Sequence, residues 1–280
     1  MKMWAFRAGL GLAVSALAMG QAVQAADIAA PVYKAAPVAV SPWDVAFGAS
    51  IATDYNFRGI SQSDRGPSVG AYVEGQYNVS PMLQLYAAIA GASVDLPTDP
   101  TAEIDYYGGA RLKLNTVTLD AGLWYYQYPR ETVDTDFLEV YGKLSWAVTD
   151  SFVLGGGVYY TADWLKTGAD GTYVSGTAKY SWNTGTPVGM YLGGELGHYS
   201  FGTPDAGFVV HDYTYWNAGL GFTYKAFTLD LRYHDTDLNE GECSAMTGDS
   251  WVNGAPGRSN WCGDAYVAKL SFDTTLSSLK

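Results

Sequence analysis

From Trp43 onward, apolar residues alternate with small or polar ones at a period of two. Val45, Phe47, Ala49, Ile51, Tyr55 and Phe57 fall on one side, and Ala46, Gly48, Ser50, Asp54 and Arg58 on the other. A strand satisfies this spacing and a helix does not. The alternation returns in segments of about ten residues, the length a tilted strand needs to cross a bilayer. Twelve segments follow from it: 43–59, 67–77, 83–94, 104–114, 117–128, 137–147, 152–163, 172–182, 188–199, 213–224, 227–234 and 264–272.

The connections between these segments alternate as well. Asn78 to Pro81, Asn115-Thr116, Val148 to Ser151, Asn183 to Pro187 and Lys225-Ala226 are tight, and the connections between them are longer and more polar. Short turns at one end and long loops at the other are expected of an antiparallel up-and-down transmembrane barrel, with the turns and both termini in the periplasm. A soluble β-sandwich has no reason to sort its loops in this way.

Composition agrees with strands. The chain has 33 Gly and 22 Tyr, while charged residues make up only 16%, a mix suited to sheet and poor for helix bundles. The net charge of −12 argues against nucleic acid as a partner, because phosphates demand a basic surface. Lys2 and Arg7 precede an apolar run from Ala8 to Met19 and a small-residue site at Val23 to Ala25, the pattern of a secretory signal peptide over 1–25. Residues 26–42 are rich in Ala, Pro and Val without periodicity and read as a linker. The barrel is then expected over 43–272, followed by a tail over 273–280.

Which face meets lipid is a separate question. Val69, Ala71, Val73, Leu83, Leu85, Ile89, Val117, Leu119, Leu123, Val188, Met190, Leu192, Trp216, Leu220 and Phe222 share a face without charge. The opposite face carries Asp54, Arg58, Glu74, Asp105, Arg111, Lys113, Asp120, Glu139, Lys143, Lys179, Glu195, Asp230, Arg232 and Lys269. In a soluble barrel the charged face would be outermost; in a membrane barrel it lines the interior. Tyr55, Phe57, Tyr77, Tyr125, Trp146, Tyr160, Trp164, Tyr180, Trp182 and Tyr224 collect at the segment ends, as an aromatic girdle at the membrane interfaces would require. The alternative is that these rings are scattered as ordinary strand formers.

The stretch Ile51 to Pro81 contains Asp54, Tyr55, Phe57, Arg58, Gly59, Ser61, Gln62 and Pro67. It resembles the opening hairpin of the TorF family of porins, and the plan of signal peptide, about twelve strands and closing strand is similar to that family. The resemblance implies an outer-membrane porin and adds no catalytic or ligand residue. In one respect the chain departs from it: barrels of this kind usually end in an aromatic residue, whereas here Phe272 is followed by DTTLSSLK.

The expected function is passive diffusion of small hydrophilic solutes or ions through a narrow lumen, with membrane lipid as the surrounding partner and no cofactor. The rival is a non-conducting barrel that binds a partner or stabilises the surface. Inward glycines such as Gly155, Gly157, Gly193, Gly219 and Gly221 either leave room for solute or relieve crowding in a coiled sheet. Inward rings, among them Tyr86, Tyr107, Trp124, Tyr126, Tyr159, Tyr191 and Tyr215, offer stacking surfaces or brace the wall. Acidic and basic residues balance on the inner face, so the wall itself predicts weak selectivity. The acidic long loops predict a mild preference for cations, or else only keep the surface soluble. Cys243 and Cys262 share one polar loop of an exported chain and are expected to form a disulfide, the alternatives being free thiols or a metal pair. An outer-membrane hydrolase is the third possibility. Its candidates, His198, His211 and His234 with Ser200, Asp205, Asp212 and Asp235, show no nucleophile-elbow pattern.

Overall fold

The computed structural model describes residues 42–252 and 254–279. The expected signal peptide and all but the last residue of the linker lie outside the described residues.

The chain forms a closed antiparallel barrel of twelve strands. In chain order they are β1 (Trp43–Ala52), β2 (Ser68–Asn78), β3 (Leu83–Ala92), β4 (Glu103–Leu114), β5 (Val117–Gln127) and β6 (Phe137–Ala147). β7 (Phe152–Thr161), β8 (Gly171–Asn183), β9 (Gly189–Phe201), β10 (Tyr213–Tyr224), β11 (Phe227–Thr236) and β12 (Ala265–Thr275) complete it. Each strand pairs with its neighbours in sequence, and β1 pairs with β12, with Ala49 opposite Phe272, so that no ladder edge is left open. At the tight turns Asn115 and Lys225 both take a φ of 55°, the left-handed backbone that two-residue hairpin loops require.

The side chains decide which face is which. Leu196 is 61% exposed, Val69 56%, Leu192 54% and Leu123 50%, whereas Glu139, Glu74 and Asp105 inside the barrel are at most 1% exposed. Such an aliphatic exterior suits lipid, and a soluble barrel would turn it inward. Tyr77, Tyr125, Trp146, Tyr160, Tyr180 and Tyr224 are exposed at the strand ends, as a girdle demands. Tyr55 and Trp164 depart from that expectation because both are buried, and Phe57 is half-buried inside the barrel. Trp164 sits on a short turn, where its ring packs 4.8 Å from that of Phe201.

Two boundaries also differ from the periodicity by three residues or more. The last strand continues past Phe272 to Thr275, because Gly48, Phe47 and Ala46 of β1 offer ladder partners to Asp273, Thr274 and Thr275. The first strand stops at Ala52 instead of continuing to Gly59. Beyond it the Asp54 carboxylate accepts hydrogen bonds from the hydroxyls of Ser61 (2.6 Å) and Ser63 (3.1 Å). These local bonds compete with the ladder and curl the chain inward.

Candidate functional site

The barrel interior is built in two layers. At the long-loop end, residues 53–67 enter the barrel as a small hairpin in which Asn56-Phe57 pairs with Ile60-Ser61. Between the pairs stand Arg58 (φ 48°) and Gly59 (φ 91°), a two-residue turn with both central residues left-handed. Gly59 donates its backbone N–H to Asn56 Oδ1 (3.0 Å), and a β-carbon at this position would collide with Thr236 and Tyr215. Glycine is therefore required both for conformation and for space.

Arg58, at the hairpin tip, is fully buried. Its Nη1 and Nη2 donate to the two carboxylate oxygens of Glu139 at 2.6 and 2.8 Å. Glu139 lies on β6, five strands along the wall from β1. Four rings surround the guanidinium carbon: Tyr173 at 4.4 Å, Phe57 and Tyr159 at 4.7 Å, and Tyr199 at 5.0 Å from their centroids. The Tyr126 and Tyr199 hydroxyls also donate to Glu139, at 3.1 and 3.3 Å. The result is a forked ion pair within an aromatic cage, desolvated on every side.

The root of the hairpin is fastened from above and from the side. Tyr55 donates its hydroxyl to Glu103, which also accepts from Tyr128 (2.7 Å). Burial and the Glu103 charge push the Tyr55 hydroxyl well above its ordinary pKa, so it stays a donor. Residues 237–249 and 258–264 lie over this root, and the first of these stretches contains helix α1 (Glu240–Thr247), whose first turn is closed by a capping box between Asn239 and Glu242. A disulfide joins Cys243 of α1 to Cys262. Beside it, Ser61 donates its N–H to the Trp261 carbonyl (2.9 Å), and the Trp261 indole donates to Asp64 (2.9 Å). Arg65 donates to the carbonyls of Asn260, Gly263 and Asp264.

At the short-turn end the interior is an ion-pair network on strand residues alone. Arg111 donates to both oxygens of Glu74 (2.6 and 2.9 Å) and to Asp120 (3.4 Å), which also faces Lys143 Nζ at 3.3 Å. Arg232 holds Asp230 through Nε (2.9 Å) and Nη2 (2.8 Å). Three cations of this layer also lie over a tyrosine: Arg111 on Tyr86 at 3.7 Å, Lys179 on Tyr191 at 4.0 Å and Lys143 on Tyr141 at 4.8 Å.

The fourteen charged residues expected on the inner face divide unevenly along the axis. Asp54, Asp105, Glu139 and Glu195 belong to the long-loop layer with Arg58, where the buried Glu103, which is not among the fourteen, joins them; Arg111, Lys113, Lys143, Lys179, Arg232 and Lys269 belong to the short-turn layer with Glu74, Asp120 and Asp230. The expectation of a charge-balanced wall holds only for the sum. Asp54 and Arg58 also come from the inward hairpin and not from a wall strand. Period two alone cannot reveal such an insertion, and Arg58-Gly59 is not one of the Asn-Gly, Asp-Gly or Gly-Gly pairs that mark a two-residue turn, so Gly59 is the one local hint. Among the hydrolase candidates, His198 and Ser200 face outward, with His198 Nδ1 3.2 Å from Thr214 Oγ1. His234 is buried inside with its Nδ1 2.8 Å from the Tyr215 hydroxyl.

A sequence profile described as "Bacterial protein of unknown function (Gcw_chp)" matches residues 36–255. No curated protein matches the chain. Among solved structures, the NanC porin is similar over 82% of this chain and 98% of its own, with 16% identity and a TM-score of 0.50. An outer-membrane channel of Pseudomonas putida F1 is similar over 85% of this chain and 97% of its own, with 10% identity and a TM-score of 0.46. At such identities the likeness to the NanC porin shows the outer-membrane barrel fold.

Proposed function

The chain belongs to the Gcw_chp family of bacterial proteins of unknown function, and on that premise we propose that it is an outer-membrane channel for small hydrophilic solutes, narrowed by its own first long loop. The observation that carries this reading is the inversion of the barrel. Charged and hydrogen-bonding side chains fill the interior while an aliphatic surface faces outward. Ionised groups inside an apolar wall mark a polar path across a membrane. The long loops then face outside, with the turns and both termini in the periplasm. The fourteen inner charges line the path, and solute passes where the hairpin leaves or yields space. In this reading the protein is no enzyme, and the TorF porins are the kin that residues Asp54 to Pro67 suggest.

The rival reading, a non-conducting barrel, is favoured by the packing of the long-loop layer, where Tyr173, Tyr199 and Tyr215 are at most 1% exposed. Single-channel recording of the purified chain in planar bilayers separates the two. A channel narrowed by the hairpin shows small unitary steps that grow when Arg58 is replaced by Ala. If neither protein passes ions, the barrel is non-conducting.

A further inference from the structure

The Arg58 cage has the makings of a receptor site whose ligand is part of the chain. Its wall is formed by Glu139 of β6, Tyr159 of β7, Tyr173 of β8 and Tyr199 of β9. All four stand on barrel strands, and only the remaining ring, Phe57, comes with the hairpin that carries Arg58. The occupant arrives from elsewhere, on a loop turn whose backbone is left-handed at a non-glycine residue. Rings at 4.4 to 5.0 Å around a planar cation, with a carboxylate taking both prongs of its fork, are selective for a guanidinium. An ammonium is a compact point charge that cannot match two carboxylate oxygens and stack on rings together.

We propose that the Glu139–Tyr159–Tyr173–Tyr199 cage is a binding site for guanidinium-bearing solutes, and that Arg58 is its tethered occupant. The inference rests on the channel reading in one respect only, that such solutes reach the lumen. Tethering gives Arg58 an effective concentration of about millimolar or more. A free guanidinium therefore competes poorly with the intact hairpin and binds well once Arg58 is removed. A solute that does displace the tip also withdraws the obstruction, which couples recognition to opening.

The test is equilibrium dialysis of labelled agmatine against the full chain folded in detergent micelles. Arg58→Ala is compared with the unaltered protein and with Arg58→Ala/Glu139→Gln. Folding is checked by the change in gel mobility on heating. Arg58→Gln, which retains a donor toward Glu139, is run in parallel in case the alanine variant does not fold. We expect saturable binding to the Arg58 variants at least about tenfold tighter than to the unaltered protein. Binding is expected to be lost in the double variant, and cadaverine, a diamine, to bind at least about tenfold more weakly than agmatine. Absence of saturable binding to whichever folded Arg58 variant is obtained overturns the proposal, and so does equal binding of cadaverine. Because dialysis measures no current, a barrel that binds agmatine but passes no ions defeats the channel reading alone. One that conducts without binding defeats the cage alone.

Discussion

The two layers of the interior solve one problem, how to keep charge inside a barrel, by different means. The short-turn layer pairs cations and acids that all stand on the wall: Glu74 with Arg111 and Asp120 with Lys143 between strands, and Asp230 with Arg232 along one strand. The sheet itself fixes these partners, since Asp120 and Lys143 are opposed in its register. The long-loop layer has an acid on the wall and brings its cation in on a loop. A pair within the sheet persists as long as the barrel does, whereas a pair made by a loop can part while the barrel stays closed. Structure and adjustability are thus separated along the axis.

The largest expected effect follows from breaking each kind of pair. Arg58→Ala leaves Glu139 buried without its partner, and Arg111→Ala does the same to Glu74; each should lower stability by ~3–5 kcal/mol, read from unfolding midpoints in lipid. Unitary conductance should separate the variants, rising several-fold in Arg58→Ala, where a loop tip is freed, and much less in Arg111→Ala. An equal rise in both would remove the distinction between the layers.

The two layers share one outer surface, and a charge placed there should be costly wherever lipid touches it. Leu123→Arg, at the middle of β5, is expected to destabilise the barrel by ~2–4 kcal/mol, while Val133→Arg in an exposed loop should change little. Were Leu123→Arg neutral in folding titrations from urea, the aliphatic surface would not be facing hydrocarbon.

The next effect concerns the fastening of the hairpin root. The Cys243–Cys262 disulfide closes a loop with a sequence separation of 19, for which chain entropy gives about 3 kcal/mol. Only the covering segment is held directly, so a fraction of that should appear in global unfolding. Reduction is expected to admit protease cleavage within 240–263 and to make the current flicker, with the mean step size preserved. A reduced protein with the same protease resistance and the same noise would show that Trp261 and Arg65 suffice to hold the root.

What the sequence discloses follows this division too. Strand residues obey period two, so β6 and β10 have the expected limits, and Arg111, Asp120, Lys143 and Arg232 point inward as the alternation requires. The hairpin was hidden because Asp54, Tyr55, Phe57 and Arg58 continue the same alternation past Ala52 for another reason. In a two-stranded hairpin side chains also alternate, and the periodicity does not say which sheet they belong to. The residues at the core of the porin resemblance, Asp54 to Gln62 and Pro67, all lie in this inserted segment. Likewise, Trp164 looked like a rim residue from its place at a segment end. Only the contacts with Tyr199 and Phe201 show it to be interior.

The smallest effect tests the axial charge division itself. With Asp54, Glu103, Asp105, Glu139 and Glu195 at one end and a single arginine among them, the long-loop layer should favour cations over anions. Glu195 is the informative position, because the groups shown donating to it, the Tyr173 hydroxyl (2.9 Å) and the Asn217 amide (3.3 Å), are neutral. Glu195→Gln keeps the shape and one acceptor while removing the charge. The expected change in the cation-to-anion permeability ratio is roughly twofold, measured as a reversal potential across a KCl gradient near 0.1 M, where the screening length is about 10 Å. It should shrink near 1 M, where that length falls to about 3 Å. A ratio favouring anions in the unaltered protein would assign selectivity to the basic short-turn layer, and the order of the two layers would then matter more than the loop that narrows one of them.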